Sequence, residues 1–229
     1  MTENVILFVK TCSKSLNLQA TPIFEFGSFQ VSKGYGDMRV FFPTVKYTGC
    51  DMRPGPGVDK IEDLEKGLTM ENGQAALVLC LETLEHVFDV SKAMSEMKRI
   101  LRSDDGVLII SSLFKAAIHS YPYDYWRFTP ECFKRLLADF DVSLVVAQGS
   151  DLWPTSIFGI GVKTQDKDMW RDKLSAVAQE FDGALYNQFR YDNTLWRKLK
   201  LNIIYKNIGR KKYRAEINRH RTSWFISNK

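Results

Sequence analysis

Carboxylate side chains stand at the ends of several apolar segments in this sequence. Glu25 belongs to the first such segment, Asp51 directly follows the second, and Asp63 comes twelve residues further on. Glu82 and Glu85 follow a continuous apolar run. At the end of a strand, a carboxylate can accept hydrogen bonds from both hydroxyls of a ribose or from an adenine amino group. The spacing therefore predicts a ligand that contains adenosine and carries a positive charge.

The turn after the first apolar segment is poor in glycine. In the stretch PIFEFGSF (22–29), Gly27 is followed by Ser28 and by no further glycine. A dinucleotide needs a glycine-rich turn so that backbone amides can approach its phosphates. S-adenosylmethionine (SAM) has no phosphate, and a carboxylate near its ammonium group is favourable. This turn therefore disfavours NAD and is compatible with SAM.

Two histidines are candidates for activating an acceptor. Methyl transfer needs a nucleophile aligned with the methyl carbon, and often a base that removes a proton from oxygen or nitrogen. His86 follows the fourth predicted strand, and His119 lies in the long loop after the fifth. Either is a candidate base. The alternatives are a loop-stabilising hydrogen bond for His86 and a solvent-exposed loop position for His119.

An aromatic segment, YPYDYWRF (121–128), follows His119. Its rings suit a sugar or an aromatic acceptor, and we expect at least one of its side chains to contact the acceptor or the cofactor. The candidates are Tyr121, Tyr123, Asp124, Tyr125, Trp126 and Arg127. The alternative is that the aromatic rings and the Arg–Asp pair only hold the loop against the sheet.

The sequence gives no spacing typical of a metal site. The four cysteines form no CxxC pair, and the chain has three histidines. We therefore predict reduced, mostly buried thiols and no metal, although a site assembled from distant acids stays open.

The elements that would position these residues alternate between strand and helix. Strands are predicted at 23–26, 46–50, 74–81, 106–111, 142–148 and 156–162, with a short one ending near Asp63. Helices are predicted at 4–18, from Asp89 or Ser91 to about 102, and from Thr129 onward. The alternation predicts an α/β fold with a doubly wound, seven-stranded, mostly parallel sheet. The last two strands have no long helix between them and are expected to pair antiparallel at the sheet edge.

The C-terminal part of the chain differs in charge. The net charge is +5, but residues 197–229 carry 11 Lys/Arg and one acid, and the remainder is mildly acidic. We expect one α/β domain over 1–164 and a basic helical extension over 165–229, with helices at 168–181 and 193–208. The extension is interpreted as a solvated helix face, a membrane-surface element over 196–229, or a polyanion-binding surface, with nucleic acid the less favoured partner. No apolar run approaches the length of a membrane span, so we expect a cytoplasmic protein, peripheral at a membrane if the extension binds lipid.

Five motifs, in order, carry a family resemblance. They are EFGS (25–28), YTGCDMRPGPGVDKIEDLE (47–65), LVLCLETLEHV (77–87), MKRILRSDDGVLIISS (97–112) and YPYDYWRFTPECFKRLL (121–137). Together they resemble class I SAM-dependent methyltransferases of the type 11 group, with a Rossmann-like sheet, over residues 20–140. The chain departs from the family pattern in lacking GxGxG after the first strand and in having LRSDDG where LRPGG is usual.

The resemblance implies a set of cofactor contacts. Glu25, Gly27 and Ser28 would line the methionine end of SAM, Asp51 the ribose, Met52 the adenine face, Asp63 and Leu64 the adenine edge, and Leu81 and Glu82 the underside of the cofactor. The product would be S-adenosylhomocysteine. Members of the group that lie among glycan-assembly genes suggest O-methylation of a sugar, a glycan or another small hydroxylated acceptor. The alternatives are an RNA methyltransferase that uses the basic extension, and a binding module without catalysis; the oligomeric state stays open.

Overall fold

A single sheet organises the chain. The computed structural model describes residues 1–18, 22–32, 34, 36–43, 46–119, 122–191 and 222–228. The strands are β1 (Ile23–Phe26), β2 (Tyr47–Asp51), β3 (Lys60–Ile61), β4 (Leu77–Leu81), β5 (Gly106–Leu113), β6 (Val142–Gly149), β7 (Pro154–Lys163) and β8 (Thr222–Asn228). The helices are α1 (Glu3–Ser15), α2 (Val90–Ile100), α3 (Pro130–Leu136) and α4 (Lys167–Tyr191), with short 3₁₀ helices at Met38–Phe41 and Leu84–His86.

The strand order is β3-β2-β1-β4-β5-β7-β6-β8. Strands β1 to β5 pair in parallel, β7 runs antiparallel between β5 and β6, and β8 runs antiparallel to β6. The prediction of a doubly wound, mostly parallel sheet is therefore confirmed. The chain leaves β1 toward β2 and later crosses back to β4, so the strand order reverses between β1 and β4. A crevice at the carboxyl ends of the strands at such a reversal is the usual ligand site of open α/β sheets.

Both faces of the sheet are covered by helices. Ile23 of β1 packs in one apolar cluster with α1 and α4, while its neighbours Phe24 and Phe26 pack in a second cluster with α2 and α3. The continuous apolar sequence of β4, which is buried along its whole length, follows from this arrangement because neither face of the strand meets water.

Two helices begin where the sequence predicts. The Asp89 side chain accepts a 2.9 Å hydrogen bond from the Lys92 N–H at the start of α2, which selects Asp89 over Ser91 as the capping residue. The Thr129 hydroxyl accepts a 3.2 Å bond from the Cys132 N–H, and Pro130 occupies the first position of α3. The two caps fix where α2 and α3 begin.

The structure corrects the C-terminal prediction. The sheet has eight strands and not seven, because residues 222–228, expected to belong to a helical extension, form β8 on the far side of β6. The β6–β7 pair is antiparallel as expected, but it lies inside the sheet and not at its edge. The helix expected at 168–181 is longer, Lys167–Tyr191. The helix expected at 193–208 and most of the basic segment 196–229 lie outside the described residues. Among the described helices, none is long and apolar enough to cross a membrane.

Candidate functional site

A cavity of about 460 Å³ opens at the carboxyl ends of β1, β2 and β4. Its volume lies within the range of about 300–1,000 Å³ typical of small-molecule sites. Many residues singled out in the sequence line it, namely Gly27, Asp51, Met52, Asp63, Leu64, Leu81, Glu82, His86, His119, Tyr123 and Tyr125. The strand order brings them together, since strand ends separated along the sequence are neighbours at this edge.

Gly27 is the first residue of the turn after β1. Its φ of +79° lies in the left-handed region, and its N–H donates to the Cys50 carbonyl at 2.9 Å. A Cβ at this position would lie 2.0 Å from Thr83 Oγ1. A single glycine therefore supplies both the unusual backbone conformation and the close approach of this turn to the end of β4.

Asp51 is held at the end of β2 by its own turn. Its Oδ1 accepts a 3.0 Å hydrogen bond from the Arg53 N–H, and the Arg53 guanidinium lies 4.8 Å from the centre of the Phe29 ring. Met52, between them, is half exposed at the cavity edge. The turn therefore fixes the position of the Asp51 carboxylate at the cavity.

Asp63 and Leu64 lie on the opposite rim, just past β3. The Asp63 carboxylate accepts from the Glu65 N–H at 2.9 Å and pairs with Lys66 at 3.2 Å. Glu62, which the sequence analysis did not name, also lines the cavity. Its pKa is lowered by hydrogen bonds from Lys60 and Thr69, although burial acts in the opposite direction.

Glu82 follows β4 and has a strained backbone. Its φ of +47° is rare for a residue with a side chain, and such conformations concentrate at functional sites. The Glu82 N–H donates to the Ser111 carbonyl at 2.9 Å, and the Glu82 carboxylate accepts from Thr2 Oγ1 at 2.8 Å. The hydrogen bond from Thr2 thus holds the Glu82 carboxylate at the cavity wall, next to Leu81.

Glu25 and Ser28 do not line the cavity. Glu25 shares its face of β1 with Ile23, beneath the sheet, and accepts a 2.8 Å hydrogen bond from the Tyr47 hydroxyl. Burial raises the pKa of Glu25 to about 7, against the lowering effect of that hydrogen bond. Ser28 is buried, and its hydroxyl has no hydrogen-bond partner within the described part of the chain. Glu25 lies within β1, two residues before the turn at Gly27, and its carboxylate is bound by Tyr47 there and not at the strand end.

The two candidate histidines meet at the other end of the cavity. The rings of His86 and His119 lie edge to face, with centres 4.9 Å apart. His86 Nδ1 lies 2.6 Å from the Tyr123 carbonyl oxygen, and His119 Nδ1 lies 3.1 Å from the Ala117 carbonyl oxygen. A carbonyl only accepts hydrogen bonds, so Nδ1 of each ring is the donor, and in the neutral ring Nε2 then keeps its lone pair. Burial lowers the pKa of His86, which favours its neutral form.

The aromatic loop is held against the short helix that contains His86. The Tyr125 N–H donates to the Glu85 carbonyl at 2.8 Å, and Trp126 Nε1 donates to the Val87 carbonyl at 3.0 Å. The rings of Tyr123 and Tyr125 line the cavity, 5.7 Å apart. Tyr121 lies outside the described residues.

Asp124 and Arg127 form the bidentate pair that closes this loop. Arg127 Nη1 and Nη2 lie 2.5 and 2.7 Å from the two Asp124 oxygens, and this contact holds the pKa of Asp124 well below its usual range. Neither side chain lines the cavity; Arg127 and Trp126 instead line a second cavity, of about 600 Å³, between α2 and α3. For these residues the geometry favours the alternative role of holding the loop.

Glu85 is the residue whose environment the sequence did not predict. Its side chain is 0% exposed, Oε2 accepts from Ser112 Oγ at 2.9 Å, and Oε1 has no hydrogen-bond partner among the described residues. Burial raises the pKa of Glu85 to about 7. One carboxylate oxygen of Glu85 and one ring nitrogen each of His86 and His119 lie within 4.8 Å of one another.

Several apolar lining residues were also missed. Phe29 and Val31 follow the first turn, and Leu113 ends β5. Their alternating apolar pattern after Gly27 and at the end of β5 was a visible signal. It could not be separated from ordinary core packing without knowing which residues face the strand ends.

Part of the chain matches a known protein family. Residues 48–110 match a family model described as a methyltransferase domain. This match confirms the resemblance to class I SAM-dependent methyltransferases and implies SAM as the cofactor. A comparison with curated protein sequences found no match.

Solved structures of SAM-dependent methyltransferases are also similar to this chain. One from Thermotoga maritima is 16% identical, with 70% of this chain and 91% of that chain covered and a TM-score of 0.47. One from Methanosarcina mazei is 14% identical, with 66% and 97% covered and a TM-score of 0.49. One from Mesorhizobium loti is 14% identical, with 66% and 97% covered and a TM-score of 0.47. At such low identity these likenesses say nothing about the acceptor.

Proposed function

We propose that this chain transfers the methyl group of SAM to a hydroxyl group of a small acceptor, such as a sugar. The observation that carries the proposal is a single cavity with carboxylates at the strand ends on one side and a histidine pair beside tyrosine rings on the other. The first side matches the cofactor that the methyltransferase-domain match implies. The second side is where an acceptor would be held.

The charge of the cavity fits SAM. The described lining residues include five carboxylates, from Asp51, Glu62, Asp63, Glu65 and Glu82, and two cationic groups, the Arg53 guanidinium and the Met1 ammonium, which lies 3.3 Å from Glu82. A ligand with a sulfonium and an ammonium is stabilised in such a field, whereas a pyrophosphate is repelled. The turn after β1 contains a single glycine, Gly27, so it offers no glycine-rich loop for phosphates.

Individual roles follow from position. Asp51, fixed by the Arg53 N–H, would accept from the ribose hydroxyls, and Met52 would cover the adenine. Asp63 and Leu64 would meet the adenine edge. Glu82, whose carboxylate accepts a hydrogen bond from Thr2, would attract the ammonium end. Cofactor contact is not assigned to the side chains of Glu25 and Ser28, because neither residue lines the cavity.

The acceptor side supplies orientation and a base. When bound, SAM supplies an electrophilic methyl group whose bond to sulfur breaks as the bond to the acceptor oxygen forms. In both rings Nδ1 contacts a carbonyl, so Nε2 of neutral His119 or His86 would take the acceptor proton. The exposed faces of Tyr123 and Tyr125 offer a surface on which a sugar ring can stack.

Calorimetric titration with SAM and S-adenosylhomocysteine tests the cofactor half of the proposal. We expect micromolar binding by the parent chain and at least tenfold weaker binding by Asp51→Asn, which keeps the turn hydrogen bond but loses the charge. Asp168→Asn on α4 is the matched control, because Asp168 is exposed and does not line the cavity. Absence of SAM binding by the parent chain would overturn the proposal.

Turnover on nucleotide sugars and other hydroxylated acceptors tests the second half. Turnover of a free sugar that is insensitive to salt would support a small acceptor. Activity that requires RNA and collapses in moderate salt would favour an RNA methyltransferase instead. SAM binding without turnover on any acceptor would favour a binding module.

A further inference from the structure

Three potential ligand groups converge beneath the acceptor end of the cavity. A carboxylate oxygen of buried Glu85 and ring nitrogens of His86 and His119 lie within 4.8 Å of one another. Glu85 and His86 are adjacent in sequence, but His119 lies in the loop after β5. A sequence motif of metal ligands therefore does not reveal this group. From this juxtaposition we propose that Glu85, His86 and His119 form a binding site for a divalent first-row transition metal ion.

The carboxylate is prepared for a ligand. Glu85 is fully buried, Ser112 donates to Oε2, and Oε1 has no hydrogen-bond partner within the described part of the chain. A buried carboxylate oxygen without a partner is costly, and native proteins satisfy nearly all such atoms. A cation bound to the free oxygen would remove that cost.

The histidines are held in the tautomer that a metal requires. His86 donates from Nδ1 to the Tyr123 carbonyl at 2.6 Å, and His119 Nδ1 lies 3.1 Å from the Ala117 carbonyl oxygen and 3.2 Å from Asp124 Oδ2. With Nδ1 as the donor, Nε2 of the neutral ring keeps its lone pair and is the atom that would bind the ion. Metal-binding histidines usually donate their other N–H to a carbonyl or a carboxylate, which fixes the ring and raises its basicity. Arg127 in turn fixes Asp124.

The spacing requires only a small adjustment. Ligand atoms around a Zn²⁺ ion at about 2.0–2.2 Å lie about 3.4 Å apart in tetrahedral geometry. One nitrogen of each ring and one Glu85 carboxylate oxygen lie within 4.8 Å of one another, so the group must contract by up to about 1.4 Å to bind the ion. The His119 side chain is 36% exposed and lies in a loop, so a shift of this loop toward Glu85 and His86 would bring the three ligand atoms closer together.

The ligand set also selects the class of ion. Two imidazoles and one carboxylate suit Zn²⁺, Fe²⁺, Co²⁺ or Ni²⁺ better than Mg²⁺ or Ca²⁺, which prefer oxygen ligands. Three protein ligands leave positions open toward the cavity that His86 and His119 line.

The chemical use of the ion rests on the proposed function. A divalent ion polarises a coordinated hydroxyl and favours loss of its proton to solvent, which would prepare an acceptor oxygen for methyl transfer. Coordinated Nε2 atoms have no free lone pair, so in the metal-bound enzyme the ion would replace the histidines as the activating group. Binding of the ion itself does not depend on SAM and can be measured alone.

Calorimetry of the chelator-treated full chain with Zn²⁺, and visible absorption after addition of Co²⁺, test the site. We expect one ion per chain, and at least tenfold weaker Zn²⁺ binding with loss of the Co²⁺ band in Glu85→Gln and in His119→Ala. His119→Ala changes a partly exposed side chain, so it keeps the test informative if Glu85→Gln fails to fold. Glu131→Gln, which changes an exposed carboxylate on α3, is the matched control and should bind Zn²⁺ as the parent does.

The outcomes separate this inference from the proposed function. Three results would each overturn the metal site: no Zn²⁺ binding by the parent chain, binding by Glu85→Gln and His119→Ala that equals that of the parent, or loss of binding in Glu131→Gln. SAM binding by metal-free protein alongside any of these results would leave the proposed function standing. Zn²⁺ binding that depends on Glu85 and His119, in a chain that binds no SAM, would support the metal site and overturn the proposed function.

Discussion

The Thr83 hydroxyl oxygen occupies the space that a side chain at Gly27 would need, because a Cβ built on Gly27 would lie 2.0 Å from it. This contact joins the turn after β1 to the end of β4, the two strands between which the sheet order reverses. The cavity therefore depends on one glycine at a position where related nucleotide-binding turns use several.

Gly27→Ala should destabilise the chain and abolish SAM binding. The added methyl group meets Thr83, and the φ of +79° is itself unfavourable for alanine. Gly73→Ala is the matched control, since Gly73 has a φ of +69° and a Cβ added there would meet no described atom within 4 Å. We expect a cost of about 1 kcal/mol for Gly73→Ala and of more than about 2 kcal/mol for Gly27→Ala, measured by urea unfolding. Equal costs would show that Thr83 does not restrict the turn.

Asp124→Asn should weaken the loop that carries His119. Asp124 is 2% exposed and receives two Arg127 hydrogen bonds, so loss of its charge should cost about 1–3 kcal/mol. Asp168, which pairs with Arg171 at the same i,i+3 spacing, is 89% exposed. Asp168→Asn should therefore change stability by less than about 0.5 kcal/mol. Limited proteolysis of the loop should accelerate only in Asp124→Asn; equal behaviour of the two variants would contradict the role of the pair.

Glu25→Gln should remove part of the pH dependence of stability. Burial raises the pKa of Glu25 from 4.5 to about 7, so between these values the folded state binds more protons than the unfolded state. Stability must then decrease as pH rises through this range. Glutamine stays neutral and keeps an oxygen for the Tyr47 hydroxyl. We expect Glu25→Gln to be more stable than the parent by about 1–3 kcal/mol at pH 8.

Thermal unfolding at several pH values checks this expectation. The two proteins should converge near pH 4.5, where the parent carboxyl is protonated in the folded state. Glu131→Gln, which changes an exposed carboxylate on α3, should match the parent throughout. A Glu25→Gln variant that is less stable at pH 8 would show that the charged carboxylate is stabilised in the folded chain.

Removal of residues 222–229 should lower the melting temperature and promote association. β8 covers the edge of β6, Ser143 and Ser227 share a 2.7 Å hydrogen bond, and Ile226 packs on the core. Its loss would leave β6 as an exposed edge of buried-type sequence, which favours pairing between chains. Size-exclusion chromatography should then show larger species. A monodisperse truncated chain with an unchanged melting temperature would contradict a structural role for β8.

Local sequence patterns predicted most of the strands and helices. The apolar runs at β4 and β5, the caps at Asp89 and Thr129, and the order of strands and helices all depend on neighbouring residues. The carboxylates Asp51, Asp63 and Glu82 were predictable for the same reason, because parallel strand ends meet at one edge. The extension at 165–229 was predicted less well, since pairing of β8 with β6 joins residues about eighty positions apart.

The sequence by itself determined the class of fold, the class of cofactor and the edge of the sheet at which a cofactor is expected. These follow from hydrophobic periodicity, helix capping and the residues at strand ends, which are all local properties. Only the tertiary structure decided which side chains share the cavity. It placed the Glu25 carboxylate against the Tyr47 hydroxyl and buried Glu85 beside His86 and His119. Burial and convergence depend on how distant segments pack, and no local pattern in one chain encodes them.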